Sequence, residues 1–416
     1  MRLEHLLKKP FYKNTLIMLI AGVMSNGLNY LYQLLMGRFL APMEYGELLS
    51  LLSLFYIFSV AFTTINTSIT KFVSVYSARG QFGLIKSLVI KATKTLLPLG
   101  IFISVTVTLL SSKISRFLQI SNSTYIILVF ASVPFGLVLP VYQGVLRGLQ
   151  RFGALGISTV SWSFFKLVFS TLLVVLGYGV LGGVGGVFIS HVLSLILTVF
   201  FIVDILEIQE NYDIQLREVI NYSWGAFIAL FAYTTLWNAD MIIVKHYLPP
   251  KEAGIYSAIS VLGKVALFAP GAIGMVILPT VSELHEKGHE TLRILVKGTA
   301  LAGFISSLIV VAYILFPEQI LKIIYGKKYL MASPYLWKYS LAMMFLAMTS
   351  VTLNYALSTR RFIIGPLLMG SLIIEIVTLS ILHSTLGNIL NTLIIIGLVT
   401  FIISLLPVIS RGANNA

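Results

Sequence analysis

Long unbroken apolar blocks, separated by short polar turns, dominate the chain. A membrane helix needs about 20 mostly apolar residues to cross roughly 30 Å of hydrocarbon. Twelve blocks meet that requirement, at approximately 15–37, 47–76, 88–111, 123–146, 154–177, 181–206, 219–246, 254–282, 294–316, 333–358, 362–385 and 388–409. Charge, Pro and Gly mark the breaks, as at Ala41-Pro42-Met43-Glu44-Tyr45-Gly46, Ser77-Ala78-Arg79-Gly80, Pro249-Pro250-Lys251-Glu252 and Tyr325-Gly326-Lys327-Lys328. The two-residue alternation of a membrane β-barrel is missing. The pattern therefore predicts an all-α polytopic membrane protein with twelve transmembrane helices. The first block follows Arg2, Lys8, Lys9 and Lys13 but is long, carries Asn26, Asn29 and Gln33, and lacks a small-x-small cleavage site. It is expected to stay in the mature protein rather than be removed as a signal peptide.

Composition agrees and adds an orientation. Of 416 residues, 57% are hydrophobic and 11% charged, against about 45–50% and about 25% in soluble chains. The 29 Lys+Arg outnumber 15 Asp+Glu, for a net charge of +14, on a mean hydropathy of +0.94. In a soluble protein such charge would suggest nucleic acid; on a chain this apolar it marks membrane loops, and no nucleic-acid partner is expected. With the N-terminus inside, 18 of the Lys and Arg fall on cytoplasmic segments and 8 on outer ones, leaving Lys166, Lys264 and Lys338 within spans. The positive-inside rule then puts both termini in the cytoplasm, for a chain in the cell (plasma or inner) membrane.

Several chemistries are excluded. There is no cysteine, hence no disulfide, thiolate metal site or cysteine nucleophile. No Walker motif appears, so ATP does not drive the chain directly. The loops are too short to house a glycosyltransferase or polymerase site, and the reading is not an enzyme. His285 and His289 have metal-ligand spacing, but beside Glu286 and Glu290 they read as a solvated helix end. No cofactor is expected.

An internal repeat organises the spans. The turn Arg38-Phe39-Leu40-Ala41-Pro42-Met43-Glu44-Tyr45-Gly46 has a counterpart in His246-Tyr247-Leu248-Pro249-Pro250-Lys251-Glu252-Ala253-Gly254, at an offset of 254 − 46 = 208. The same offset pairs Val73-Ser74 and Arg79-Gly80 with Val281-Ser282 and Lys287-Gly288, and Arg151-Phe152 pairs with Arg361-Phe362 at a shift of 210. Each half then holds six spans entering the membrane in the same direction. This is a parallel duplication, a layout used by secondary transporters, with an N-lobe over 1–208 and a C-lobe over 209–416. A cleft between the two six-helix lobes is the natural substrate site.

This organisation, with the Leu40-Ala41-Pro42-x-Glu44-Tyr45-Gly46 turn after a polar first span, resembles the polysaccharide (oligosaccharide) flippases. Their superfamily also holds the multidrug and toxin extruders and the lipid II flippase. Asn238-Ala239-Asp240 before Leu248-Pro249-Pro250-x-Glu252-Ala253-Gly254-Ile255-Tyr256 looks like the same family's seventh and eighth helices. The resemblance covers the whole chain. It implies alternating access and a cargo of saccharide joined through phosphate or pyrophosphate to a polyprenyl lipid, moved from the inner to the outer leaflet for cell-surface polysaccharide synthesis. Membrane lipids and glycan-assembly proteins are the implied partners. A Na+/H+-coupled multidrug exporter on the same scaffold is the alternative.

Ionisable residues deep in hydrocarbon are costly and point to a cavity or a partner. Lys264 lies ten residues past Gly254, about 15 Å down the eighth helix, on a face with Ser257 and Ser260. It reads as a cation for the cargo's phosphate oxygens, or as half of an ion pair with Asp240. Lys166, with Trp162 and Ser170 at i−4 and i+4, carries the same reading unless Trp162 merely covers its stem. Lys338 lies within reach of the headgroups. Asp240 and Glu375 are candidates to bind the Na+ or H+ that drives antiport, or to neutralise Lys166 or Lys264. Asn26, Asn29, Tyr30 and Gln33 share one stripe of the first span, and Asn66 and Lys71 stand near it on the second. With Asn354 in the tenth, between Ser350 and Ser358, they read as a cavity wall for sugar hydroxyls or as interhelical hydrogen-bonding groups.

Overall fold

The computed structural model describes residues 2–209, 212, 216–271, 273, 277, 281, 284, 291–359 and 361–409. Among these residues every regular element is helical and no strand occurs. Ser282, His285, Lys287, Gly288 and His289, which entered the repeat and metal-spacing readings, lie outside the described residues.

The chain forms two compact units, one of 1–40 and 58–224, the other of 41–57 and 225–416. Helix α1 (Arg2–Phe39) belongs to the first. Helix α2 (Pro42–Ala78) starts in the second unit and continues into the first. Pro42 opens α2 where its missing N–H costs nothing, and Glu44 reaches back to accept the Ala41 N–H at 2.9 Å, half of a capping box.

Unit 1 continues with α3 (Phe82–Phe117), α4 (Thr124–Ala131), α5 (Val133–Gly148), α6 (Phe152–Leu173), α7 (Gly179–Phe200) and the short α8 (Val203–Leu206). Gly136, Gly144 and Gly148 lie on one face of α5. A Cβ there would come within 2.9 Å of Phe62, Ile69 or Val73, so the stripe of small residues lets α2 and α5 pack closely. Between α6 and α7 the chain reverses at Val174–Tyr178, where Gly177 has a φ of 94°. The two helices then run back along each other, with Ser170 Oγ donating to Gly183 O and Ser158 Oγ 2.6 Å from Thr198 Oγ1. Below them Arg151 pairs with Asp204 and donates to Phe201 O, tying α8 to the start of α6. The guanidinium hydrogen bond holds the Asp204 carboxyl below its ordinary range.

Helix α9 (Leu216–Leu236) passes from unit 1 into unit 2 at 224/225, and unit 2 continues with α10 (Ala239–Tyr247), α11 (Pro250–Phe268), α12 (Leu292–Leu315), α13 (Pro317–Ile324), a 3-10 segment (Lys327–Tyr335), α14 (Leu336–Ser358), α15 (Ile364–Ile381) and α16 (Leu386–Ile409). Helix α14 packs against α11, α12 and α16. The repeated turn glycines meet: a Cβ on Gly46 would lie 3.1 Å from Gly254 N, and one on Gly254 only 2.0 Å from Pro42 O. The N-terminal ends of α2 and α11 therefore cross backbone to backbone.

Large apolar side chains face outward along several helices, as with Phe102 (68% exposed) and Leu109 (79%) on α3. In water this surface would be an aggregation liability, and in a membrane it is the lipid-facing side. Eight described helical stretches are long and apolar enough to cross a membrane, nine if α9 and α10 count as one broken span. One stretch, Phe152–Phe200, holds the α6–α7 reversal, where the sequence predicts two spans. The seventh span, expected unbroken over 219–246, bends by 42° between Leu236 and Ala239. There Asn238 turns its amide back to Thr234 O at 2.9 Å instead of continuing the helix.

Candidate functional site

In unit 2 the break between α9 and α10 decides where Asp240 points. It puts Asp240 in the first turn of α10, fully buried. Two phenols converge on one of its oxygens: Tyr256 Oη from α11 and Tyr339 Oη from α14 each donate to Oδ2 at 2.7 Å. Ser260 Oγ stands 3.1 Å from Tyr339 Oη and extends the network along α11. Tyr339 can reach this place because Gly263 leaves room for its ring, to which a Cβ would approach within 2.3 Å.

The other oxygen, Asp240 Oδ1, is buried without a hydrogen-bond partner. Glu375, 1% exposed on α15, likewise leaves Oε1 buried and unpartnered and lies within electrostatic reach of Asp240. Buried carboxylate oxygens are normally hydrogen-bonded, and each exception calls for a reason. A proton on the carboxyl, or a cation beside it, would satisfy such an oxygen. Among the described residues no group of three His, Cys, Asp or Glu assembles.

Lys264 lies near the same cluster, with Nζ 5.3 Å from the Trp237 ring centroid. It senses the charge of Asp240 but forms no ion pair with it. The alternative of a Lys264–Asp240 pair is therefore not what the structure adopts: Oδ2 is taken by the two tyrosines and Oδ1 is left without a hydrogen bond. Asn354 donates to Ser350 O of its own helix at 2.7 Å, and Ser358 to Asn354 O, so this stripe is bonded internally. Lys338 donates to Asn391 Oδ1 at 3.1 Å.

In unit 1, Lys166 is 2% exposed at the middle of α6. Its Nζ lies 4.5 Å from the Tyr32 ring centroid and 4.7 Å from that of Trp162. Asn29 donates to Ser163 Oγ at 2.9 Å and to Ser25 O, and Ser25 and Ser163 share a 2.6 Å hydrogen bond, so α1 is tied to α6 just above. Asn26 is exposed and Gln33 half-buried on the same helix. Asn66 is buried and donates to Pro140 O on α5 at 3.2 Å, while Lys71 is exposed at the far end of α2. The structure thus gathers Lys166 with Asn29, and Asp240 with Glu375 and Lys264. It leaves Asn66 and Asn354 in helix-to-helix or intrahelical hydrogen bonds.

Sequence reasoning missed Tyr256, Tyr339 and Tyr32. Tyr256 stood in the repeated turn and could have been found by its four-residue spacing to Ser260; Tyr339 and Tyr32 carried no signal beyond being aromatic. It also missed the sign pattern: between Glu47 and Asp204 there is no Asp or Glu, against ten Lys and Arg.

Solved structures share this fold. The chain is similar to a multidrug resistance MATE family transporter of the MOP superfamily in its inward-facing conformation, with a TM-score of 0.80 at 13% identity over 92% of this chain and 95% of that one. It is also similar to the lipid II flippase MurJ in an inward closed conformation, with a TM-score of 0.73 at 15% identity over 95% of this chain and 87% of that one. No curated protein matches the sequence. The family described as polysaccharide biosynthesis protein matches residues 11–285. Residue pattern, apolar helical fold and family match agree, and this chain is a multi-pass membrane protein belonging to the polysaccharide biosynthesis protein family.

Proposed function

We propose that the protein flips a polyprenyl-(pyro)phosphate-linked oligosaccharide from the cytoplasmic to the outer leaflet by alternating access, driven by Na+ or H+. The family match over most of the chain is the observation that carries this reading. The acid-free, basic stretch between Glu47 and Asp204 favours an anionic headgroup. In this reading Lys166 and Lys264 attract the phosphate oxygens, and Asn26, Asn29, Gln33, Asn66, Lys71 and Asn354 serve the sugar and the path to it. The polyprenyl tail stays in the bilayer.

Asp240 and Glu375 are the coupling groups, because each keeps a buried carboxylate oxygen without a hydrogen-bond partner that a proton or a bound cation would satisfy. The chain sits in the cell membrane with both termini cytoplasmic, as two parallel six-helix lobes of 1–208 and 209–416, working beside glycan-assembly proteins and without a resident cofactor.

Flipping of a fluorescent polyprenyl-pyrophosphate sugar in proteoliposomes tests the reading with wild type, Lys264→Ala and Asp240→Asn. Wild type is expected to flip the lipid. Both variants are expected to lose at least about tenfold in rate, the equivalent of 1.4 kcal/mol in the barrier. Unchanged transport in both would remove the site assignment. The fold likeness to a multidrug transporter favours a second reading, cation-coupled drug export, and ethidium export without lipid flipping would select it.

A further inference from the structure

Among the described residues Lys166 has no acceptor for its charge. It is 2% exposed in the interior of unit 1, and its Nζ lies within the roughly 6 Å range of cation–π attraction from two ring centroids. Among the described residues neither a hydrogen bond nor an ion pair reaches it. No carboxylate lies near it in sequence, since none occurs between Glu47 and Asp204, and Asp204 is held by Arg151.

The rings are themselves held from three helices. Tyr32 of α1 donates its hydroxyl to Gly183 O of α7 at 3.3 Å. Trp162 of α6 meets His191 of α7 edge-on at 5.5 Å. His191 is oriented by a 2.9 Å contact to Val187 O, which can only accept, so Nδ1 is the protonated nitrogen. The α6–α7 approach is fixed by small residues, with a Cβ on Gly186 falling 2.1 Å from Ser170 Oγ. Two π faces, each locked, therefore close on one ammonium group. Aromatic cages recognise alkylammonium ligands in this way.

The geometry points to Lys166 as the resident cation of an aromatic cage, a specificity-determining residue that denies unit 1 to organic cations. Its stem and head fill the space that a ligand ammonium would take. Its charge repels a second cation in a unit whose membrane interior has no carboxylate to compensate. This is discrimination by an unfavourable contact with the wrong ligand. The inference rests on the reading of an anionic cargo for its biological meaning, but it is tested without that cargo.

Lys166→Ala removes a piece of side chain the size of n-propylammonium, and small ligands do enter cavities engineered in this way. n-Propylammonium and its uncharged analogue n-propanol are titrated into the purified full-length wild type and variant, with the thermal-unfolding midpoint as readout. The variant is expected to bind propylammonium about tenfold or more tighter than propanol, as two ring faces allow, while wild type responds to neither. Equal response of the variant to both ligands overturns the cage. So does a wild-type response to propylammonium as large as the variant's.

Should Lys166→Ala not fold, Lys166→Met keeps the volume and drops the charge, whereas Lys166→Arg keeps the charge. Ethidium uptake into proteoliposomes is expected to rise at least about fivefold above wild type for Met and to stay at the wild-type level for Arg, a gap of about one kcal/mol. No gain with Met overturns the proposal. Neither measurement uses a lipid-linked sugar, so absence of flipping would count against the proposed function and leave this result readable.

Discussion

Asp240 is the residue whose surroundings say most about what a single side chain does here. Two tyrosine hydroxyls share its Oδ2 while Oδ1 has none. A hydrogen bond to a charged group contributes about 1.5–3 kcal/mol, and a buried group stripped of its last donor costs more than one that keeps a second. Tyr256→Phe and Tyr339→Phe should each destabilise the protein within that range, and the double variant should lose more than the sum of the two. A double-mutant cycle of denaturant unfolding in detergent measures this, and simple additivity would count against a shared clamp. Asp240, Glu375, Lys166 and Lys264 were all legible in the sequence, because a charge inside an apolar block stands out. Their partners were not, because a tyrosine in a membrane helix looks alike whether it faces lipid or a carboxylate.

Among the elements, close helix contacts made by glycine carry the packing. Without a hydrophobic driving force between helices in lipid, association depends on backbones approaching closely. Gly254 is the sharpest case, its absent Cβ lying 2.0 Å from Pro42 O. Backbone cannot yield as a flexible side chain can, so Gly254→Ala should destabilise unit 2 by about 1–3 kcal/mol through overpacking. Gly153→Ala on α6 meets nothing within 4 Å and should stay within about 1 kcal/mol of wild type. Thermal-unfolding midpoints of the two variants side by side check the contrast. The repeated turn was readable from sequence at its offset of 208, but that its two glycines touch was not. The bend at Trp237-Asn238 was hidden too, since both residues are compatible with a continuous helix until Asn238 bonds back to Thr234 O.

For the whole molecule, the distribution of Lys and Arg makes a topological prediction that the absence of cysteine makes easy to test. Single cysteines at Gln81 and Asn122 fall in turns on opposite sides of the membrane in the proposed orientation. In intact cells an impermeant maleimide should label Asn122→Cys, and Gln81→Cys only after permeabilisation. The reverse pattern would invert the topology, and with it the direction of flipping.

Hydrophobic length and the motifs of the first turn were enough to determine an all-α polytopic chain of this family, because lipid admits few backbone solutions and sequence reports burial in lipid directly. Tertiary structure alone decided which oxygen of Asp240 is taken, that Lys264 is not paired with it, and that the Lys166 ammonium lies between two rings. Those outcomes depend on distances of a few ångströms between side chains far apart in the chain, such as Tyr32 and Lys166 or Asp240 and Tyr339. Helical periodicity assigns a residue to a face of its own helix; only packing of that face against another chooses its partner.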